Sequence, residues 1–340
     1  MRFYKIAIQT VAGKEITYSS LDSAGGNNGS ALRVDLDLFE TLFHQPSPNS
    51  ILRIYGVPYK DLGQLADLNP SYKTSGNKFS KIKISVGMSK GLPFAKPYQA
   101  GLIIDGIIEY AFANWQGAEI CLDLIVNSNF GTTFSRPNLS WAWEDGQTLQ
   151  EAVTETLQIA YKDSNPVITG GFSDTLKYTE TQPGIYPDIY SFSKYVNKVS
   201  KTINPNPEYI GATIAPTPDG FILNDGTALS NNLIQILYTD MIGNPTWKAP
   251  GIIQAKVTMR GDMSINDYII FPKLTTAINN ANSTQQVRNL IPFQGYFQII
   301  SIRHIGNNRQ ATGDSWCTVI DCVVTNNIPN AVRNLPIVII

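Results

Sequence analysis

Charge is scarce in this chain. Only 16% of its 340 residues are Asp, Glu, Lys or Arg, against about a quarter in ordinary soluble proteins. The 26 basic and 27 acidic side chains leave a formal net charge of −1, and the two signs are interspersed along the chain. Gripping nucleic acid through its phosphates needs clustered Lys and Arg to displace counterions, and no such stripe is present. Histidine is scarcer still: His44 and His304 are the only two. The three cysteines, Cys121, Cys317 and Cys322, lack metal-site spacing, which leaves zinc without a ligand set. Each cysteine lies in an apolar strand-like run and reads as a buried free thiol, as in a protein made in a reducing bacterial cytoplasm. Long hydrophobic runs are missing too. Nothing approaches the ~20 apolar residues of a membrane helix, and Met1 to Gln9 alternates instead of forming the apolar core of a signal peptide. A soluble protein without membrane insertion is expected.

Uncharged polar residues fill the gap, with 28 Asn alone. A polar, weakly charged surface suits large permanent contacts, because interface cores are depleted in charge. The apolar share of 43% is enough for substantial cores, and the length predicts two to three domains.

Strand periodicity dominates the first 134 residues. Leu32, Val34, Leu36 and Leu38 alternate with Arg33, Asp35 and Asp37, and Ile82, Ile84, Val86 and Met88 alternate with Lys81, Lys83 and Ser85, the two-residue period of half-buried strands. Further strands are predicted at 52–57, 102–110 and 120–126, with a turn at 114–117 and a short helix over 59–66 after Pro58. Such a set makes a closed antiparallel barrel, which removes exposed edges. Helical signals take over in residues 135–245. Asp145 to Asp163 carries a capping box, Thr148 with Glu151, ahead of an apolar face of Leu149, Ala152, Val153, Leu157 and Ala160. A second helix is predicted from Pro187 to Ile203, stopped by Pro205. Between them, 164–184 is rich in turn residues. Residues 246–340 return to strands at 253–259, 268–271, 295–305 and 316–325, broken by a polar loop at 279–286. The fold class expected is α+β, mainly β: two tube-like antiparallel β-barrels, 1–134 and 246–340, joined by a mixed α+β region.

The two ends resemble each other. Gly101 to Tyr110, a polar turn and Glu119 to Asn127 form one long hairpin; Gly295 to His304, a polar turn and Ser315 to Thr325 form another of similar pattern.

Enzymatic constellations are poorly supported against this background. His304 could serve a Ser-His-Asp site with Asp321 or Asp314, yet no nucleophile motif accompanies it, and a structural residue at a hairpin end is the better reading. His44 reads as an exposed loop residue. Glu144 and Asp145, after Trp141 and Trp143, could stand beside sugar-stacking aromatics in a glycosidase, but adjacent acids before a capping box are explained by the helix N-terminus. Gly25 to Gly29 and Gly170-Gly171 lack the lysine spacing of a phosphate loop. No catalytic residue, cofactor or metal is expected. Arg309 and Trp316 suit a ligand contact less well than packing of the hairpin.

Two stretches carry a resemblance. Ala249 to Met259, followed by Gly261-Asp262 and the run Asp267 to Pro272, looks like a strand pair of phage tail hub proteins. Tyr296 to Gly306 with Arg303 and His304, then Arg309 and Trp316-Cys317-Thr318, resembles the hub pattern of a hairpin with His, Gly, Arg and Trp-x-Thr around its turn. Residues 165–190 match nothing in that family. The resemblance implies a baseplate hub in the virion tail, a homotrimer whose two barrels per subunit present six similar units to a sixfold tube and three to a central spike. Its implied partners are the spike, the tail tube or tube-initiator protein, and also the tape measure protein and baseplate wedge. DNA would pass through its lumen without specific binding. The competing readings are a distal-tail ring, which would be hexameric, and a carbohydrate- or receptor-binding β-module.

Overall fold

The computed structural model describes residues 2–44, 48–66, 80–88, 99–127, 137–162, 165–177, 181–206, 209–217, 220–226, 233–272, 293 and 295–325. The loop expected at 279–286 lies outside them.

The alternating stretches form the strands their period predicts. In chain order they are β1 (Arg2–Gln9), β2 (Glu15–Ser19), β3 (Arg33–Thr41) and β4 (Ser50–Tyr55), then α1 (Tyr59–Ala66), then β5 (Lys81–Met88), β6 (Gly101–Gln116) and β7 (Glu119–Asn127). The hairpin turn after β6 falls at Gly117 and Ala118, at the end of the 114–117 expected, with β6 running on to Gln116; φ is +62° at Gly117, a dihedral glycine meets without a Cβ penalty. The middle comprises β8 (Leu139–Trp143), α2 (Leu149–Ala160), β9 (Val167–Gly171), β10 (Gln182–Tyr186), α3 (Ile189–Ile203), β11 (Thr213–Thr217) and β12 (Gly220–Asn224). The last part contains β13 (Leu233–Gln235), β14 (Thr246–Ala249), β15 (Ile252–Thr258), β16 (Tyr268–Ile270), β17 (Tyr296–Asn307) and β18 (Trp316–Thr325).

The capping box of α2 is present in full: Thr148 Oγ1 accepts from Glu151 N, and the Glu151 carboxylate accepts from Thr148 N at 2.9 Å. Because Thr148 is the cap, the helix starts at Leu149 and not at Asp145. The stretch 165–190, much of it expected to be turns, contains β9, parallel to β12, and β10, antiparallel to β8.

Three cores form. Ile6, Ile54, Ile84, Leu122 and their neighbours fill the first; Trp141, Trp143, Val153, Phe192 and Phe221 the second; Ile253, Val257, Ile269, Phe297 and Ile320 the third. The first and third are not wrapped by separate sheets. Among the described residues, one sheet of thirteen strands runs through both, in the order β14-β15-β18-β17-β3-β4-β7-β6-β5-β1-β2, with β16 beside β17 and β13 beside β16. Among the described residues no ladder closes either curl of this sheet into a barrel. The connection between the two parts is itself a ladder, β17 against β3 from Ser301↔Thr41 to Asn307↔Asp35.

The strand order contains a repeat. β14-β15-β18-β17 is followed in the same sense by its counterpart β3-β4-β7-β6, and the register of β4 with β7 agrees residue by residue with that of β15 with β18. Leu52↔Leu124 corresponds to Ala255↔Ile320, and Cys121 stands where Cys317 stands. Each hairpin has one extra residue on its first strand, between Ile108 and Tyr110 in β6 and between Ile299 and Ser301 in β17. Just before each bulge the backbone makes the same bond to the preceding segment: Ile108 N donates to Ser80 O at 3.0 Å, and Ile299 N to Asp267 O at 2.9 Å. Bulges bend a strand and pin its register, so a shared bulge position is a shared shape.

Candidate assembly surface

The face of the repeated sheet turned away from the cores carries charge in pairs. Arg33 reaches Asp35 at 3.1 Å, Arg53 grips Asp123 with both arms of its guanidinium, and Lys248 reaches Asp321 at 2.7 Å. Arg303 makes a bidentate pair with Asp37, both bonds 2.7 Å, diagonally across the β17–β3 junction. The bond from each carboxylate raises the pKa of Arg33, Arg53 and Arg303 above the ordinary guanidinium value. Arg303 also stacks over the Phe39 ring at 4.8 Å and Arg33 over Tyr55 at 4.2 Å. Pairing, along β3 for Arg33 with Asp35 and between strands for the others, fixes these side chains and neutralises the surface at once.

On the inner face, His304 is completely buried. Its Nδ1 lies 3.0 Å from Thr318 Oγ1, while Nε2 has no hydrogen bond and faces Glu40 Oε1 at 4.0 Å. Burial pushes the imidazole down to about 3, and burial with the nearby Asp267 charge pushes the Glu40 carboxyl up to about 8. Both groups are therefore neutral at pH 7.

Trp316 connects the two ends of the chain. It sits on β18 yet belongs to the first core, and its Nε1 donates to Gly87 O at 2.9 Å. A Cβ on Gly306 would lie 2.6 Å from its ring, so the glycine is what admits the indole. Arg309 lies at the exposed hairpin end, bonded to Ala31 O at 2.6 Å. There it lines a surface cavity of about 830 Å³ together with Tyr55, Glu119 and Ile120. Arg303, His304, Arg309 and Trp316 thus share one hairpin but point to three places: the paired outer face, the interior and the hairpin end.

Sequence reasoning missed two features. Arg260 is almost fully buried, with Nε and Nη2 on Asp262 at 2.9 and 2.6 Å and Nη1 3.4 Å from buried Asp240. Beside it, Gly261 and Gly101 approach so closely that a Cβ on either would overlap the other's backbone, fastening the segment after β15 to the start of β6. The visible signal was Arg260-Gly261-Asp262 at the end of an alternating strand. The second feature is His44, expected exposed but half-buried beside α3, its imidazole pushed down to about 4 by burial and by Lys201 and Lys194. Trp141 and Trp143 are buried against each other and Phe192, while Glu144 and Asp145 are exposed. The two buried indoles offer no exposed platform for a sugar beside those acids.

No family model and no curated protein matches this chain. Among solved structures, the 43 kDa tail protein of prophage MuSo2 from Shewanella oneidensis aligns with 94% of this chain and 96% of its own, at 8% identity and a TM-score of 0.50. A tail protein from Neisseria meningitidis MC58 aligns over the same shares at 10% identity and a TM-score of 0.44. A component of the type VI secretion system of E. coli aligns over 88% of this chain and 76% of its own, at 9% identity and 0.48. Over nearly its whole length, then, the chain has the fold of the MuSo2 phage tail protein, which bears out at the level of fold the resemblance carried by its C-terminal hairpin.

Proposed function

We propose that this chain is the baseplate hub of a phage tail or related injection machine, a non-enzymatic homotrimer of the virion that adapts a sixfold tube to a threefold spike. The observation that carries the reading is the repeated four-strand unit, with the same strand order and, in its three strands β4-β7-β6 and β15-β18-β17, the same register and the same bulge, within one continuous sheet. Two such units per chain make six in a trimer, and cyclic closure requires only one new kind of junction. In this reading 1–134 and 246–340 are tube-like units and 135–245 projects from them. The paired outer face lines a lumen through which DNA passes, its cations held by carboxylates and so withheld from phosphate. The hairpin ends near Arg309 would face the axial partners, the spike on one side and the tube or its initiator on the other, with the tape measure and baseplate wedge as further neighbours. Static light scattering on the purified protein at tens of micromolar tests the reading. A mass of three chains supports it; six chains would indicate a ring protein of the distal-tail kind, and one chain would also overturn it.

A further inference from the structure

The two units of the repeat differ on their outer face. In the unit that contains β15, β18 and β17, neighbouring outer positions hold Gln254, Asp321, Ser301 and Arg303, all polar. Aligned on the ladders and the bulge, their counterparts in β4, β7 and β6 are Ile51, Ile125, Tyr110 and Phe112. Ile51 faces Ile125, Ile125 faces Tyr110, and the rings of Tyr110 and Phe112 stack 6.2 Å apart and 8° from parallel. Ile51 is 46% exposed and Phe112 41%. A contiguous apolar row thus lies open on a face that elsewhere pairs its charges, and such a patch marks a contact site.

Residues 326–340 lie outside the described residues, and their sequence suits this row. Leu335-Pro336-Ile337-Val338-Ile339-Ile340 has no polar side chain, and Arg333 is the single charged residue after Thr325. β18 ends at Thr325, opposite Tyr296 at the start of β17, so it stops at the end of the sheet near which Ile51 and Ile125 lie. Five strand spacings of ~4.8 Å, ~24 Å in all, separate β18 from β6. Ten residues of extended chain span up to ~33 Å, so residue 335 reaches any part of the row. Beside Tyr110, the Glu109 carboxylate accepts from Asn127 Nδ2 at 2.8 Å and forms no ion pair with a described cation.

We infer that residues 335–340 pack across the row from Ile51 to Phe112 of their own chain, with Arg333 beside Glu109. Burial of apolar surface on both sides drives the contact. The counterpart patch cannot take the same segment, because an apolar cover would strip water from Asp321 and Arg303 without replacing its hydrogen bonds. In the proposed ring the apolar row recurs three times and the polar patch three times, so the segments line the lumen at three places. That consequence rests on the hub reading, whereas the contact belongs to the single chain.

Cross-linking in the full chain tests it. Ile51→Cys/Val338→Cys, treated with a short bis-maleimide, is expected to link residues 51 and 338 within one chain, read by peptide mass spectrometry and by a monomer band on denaturing gels. Gln254→Cys/Val338→Cys, which uses the polar counterpart of Ile51, should link at least tenfold less. Trypsin gives a second readout, because Arg333 is its site nearest the apolar run. Ile51→Ser/Phe112→Ser removes the row at two half-exposed positions, so circular dichroism should match the wild type while cleavage at Arg333 accelerates at least tenfold; Gln254→Ser should leave that rate unchanged. Equal linking at 51 and 254 together with equal cleavage rates would overturn the inference, and links found only between chains would place the segment on a neighbouring copy and overturn it as well. A wild type with a mass of one chain that still links 51 to 338 keeps this contact and removes the hub reading; a mass of three chains without the link does the reverse.

Discussion

At the scale of single residues, His304 and Glu40 give the fold opposite pH dependences. Folded His304 has its pKa held near 3, against an ordinary value of 6.5. Between those limits the unfolded chain binds a proton that the native one refuses, so stability is lost as pH falls below 6.5, by at most about 5 kcal/mol. Glu40, pushed up to about 8 from 4.5, keeps its proton in the folded state after the unfolded chain has released it. Its contribution therefore declines as pH rises from 4.5 to 8. Denaturant titrations of the wild type should show the two slopes opposing each other between pH 4.5 and 6.5. In His304→Gln the acid-side loss should shrink while the decline toward pH 8 remains, and an unchanged acid limb would place the titrating group elsewhere. Arg260 makes a second case. Arg260→Met leaves Asp240 buried without its cation, and breaking a buried pair in this way costs about 3–5 kcal/mol. Adding Asp240→Asn should restore part of the loss; a double variant as unstable as the sum of the singles would show that the two residues do not interact.

Elements were legible wherever side-chain period and burial agree. β3 and β5 alternate in sequence and in exposure, and α2 was marked by its own cap. Thr148→Ala removes that cap and should lower stability by about 1 kcal/mol, measured as a shift in urea midpoint without a change in slope. β9 and β10 were not legible, since Val167–Gly171 and Gln182–Tyr186 contain glycine, proline and exposed residues and are strands only because β12 and β8 accept them. Nor could periodicity foresee the β17–β3 ladder, which joins residues 260 or more positions apart. Alternation says that a strand has an inner face and is silent on which edge meets which. Of the candidate surface, Arg303 was visible as a hairpin residue; its partner Asp37 was visible only as one polar position in a distant strand.

At the scale of the whole molecule, the single sheet and Trp316 make the two strand-rich ends depend on each other. Trp316→Ala opens a cavity in the first core from a residue on β18, at a cost of about 3–5 kcal/mol. Amide exchange should then accelerate in β5, where Gly87 loses its indole partner, as well as in β18. Acceleration confined to β18 would mean that the ends unfold independently. The outer face, too, works as a unit, because its cations are quiet only while their carboxylates are present. Replacing Asp35, Asp37, Asp123 and Asp321 together with Asn removes four negative charges and leaves Arg33, Arg53, Arg303 and Lys248 in place. Those four cations then lie along one sheet face, the arrangement that binds phosphates by releasing counterions. The variant is expected to acquire duplex binding that weakens with salt, with a log–log slope of up to about −3.6, where the wild type shows none in the same fluorescence anisotropy titration. Equal, negligible binding by both proteins would mean that the acidic partners do not set how this face meets nucleic acid, and the neutral-lumen reading would lose its physical basis.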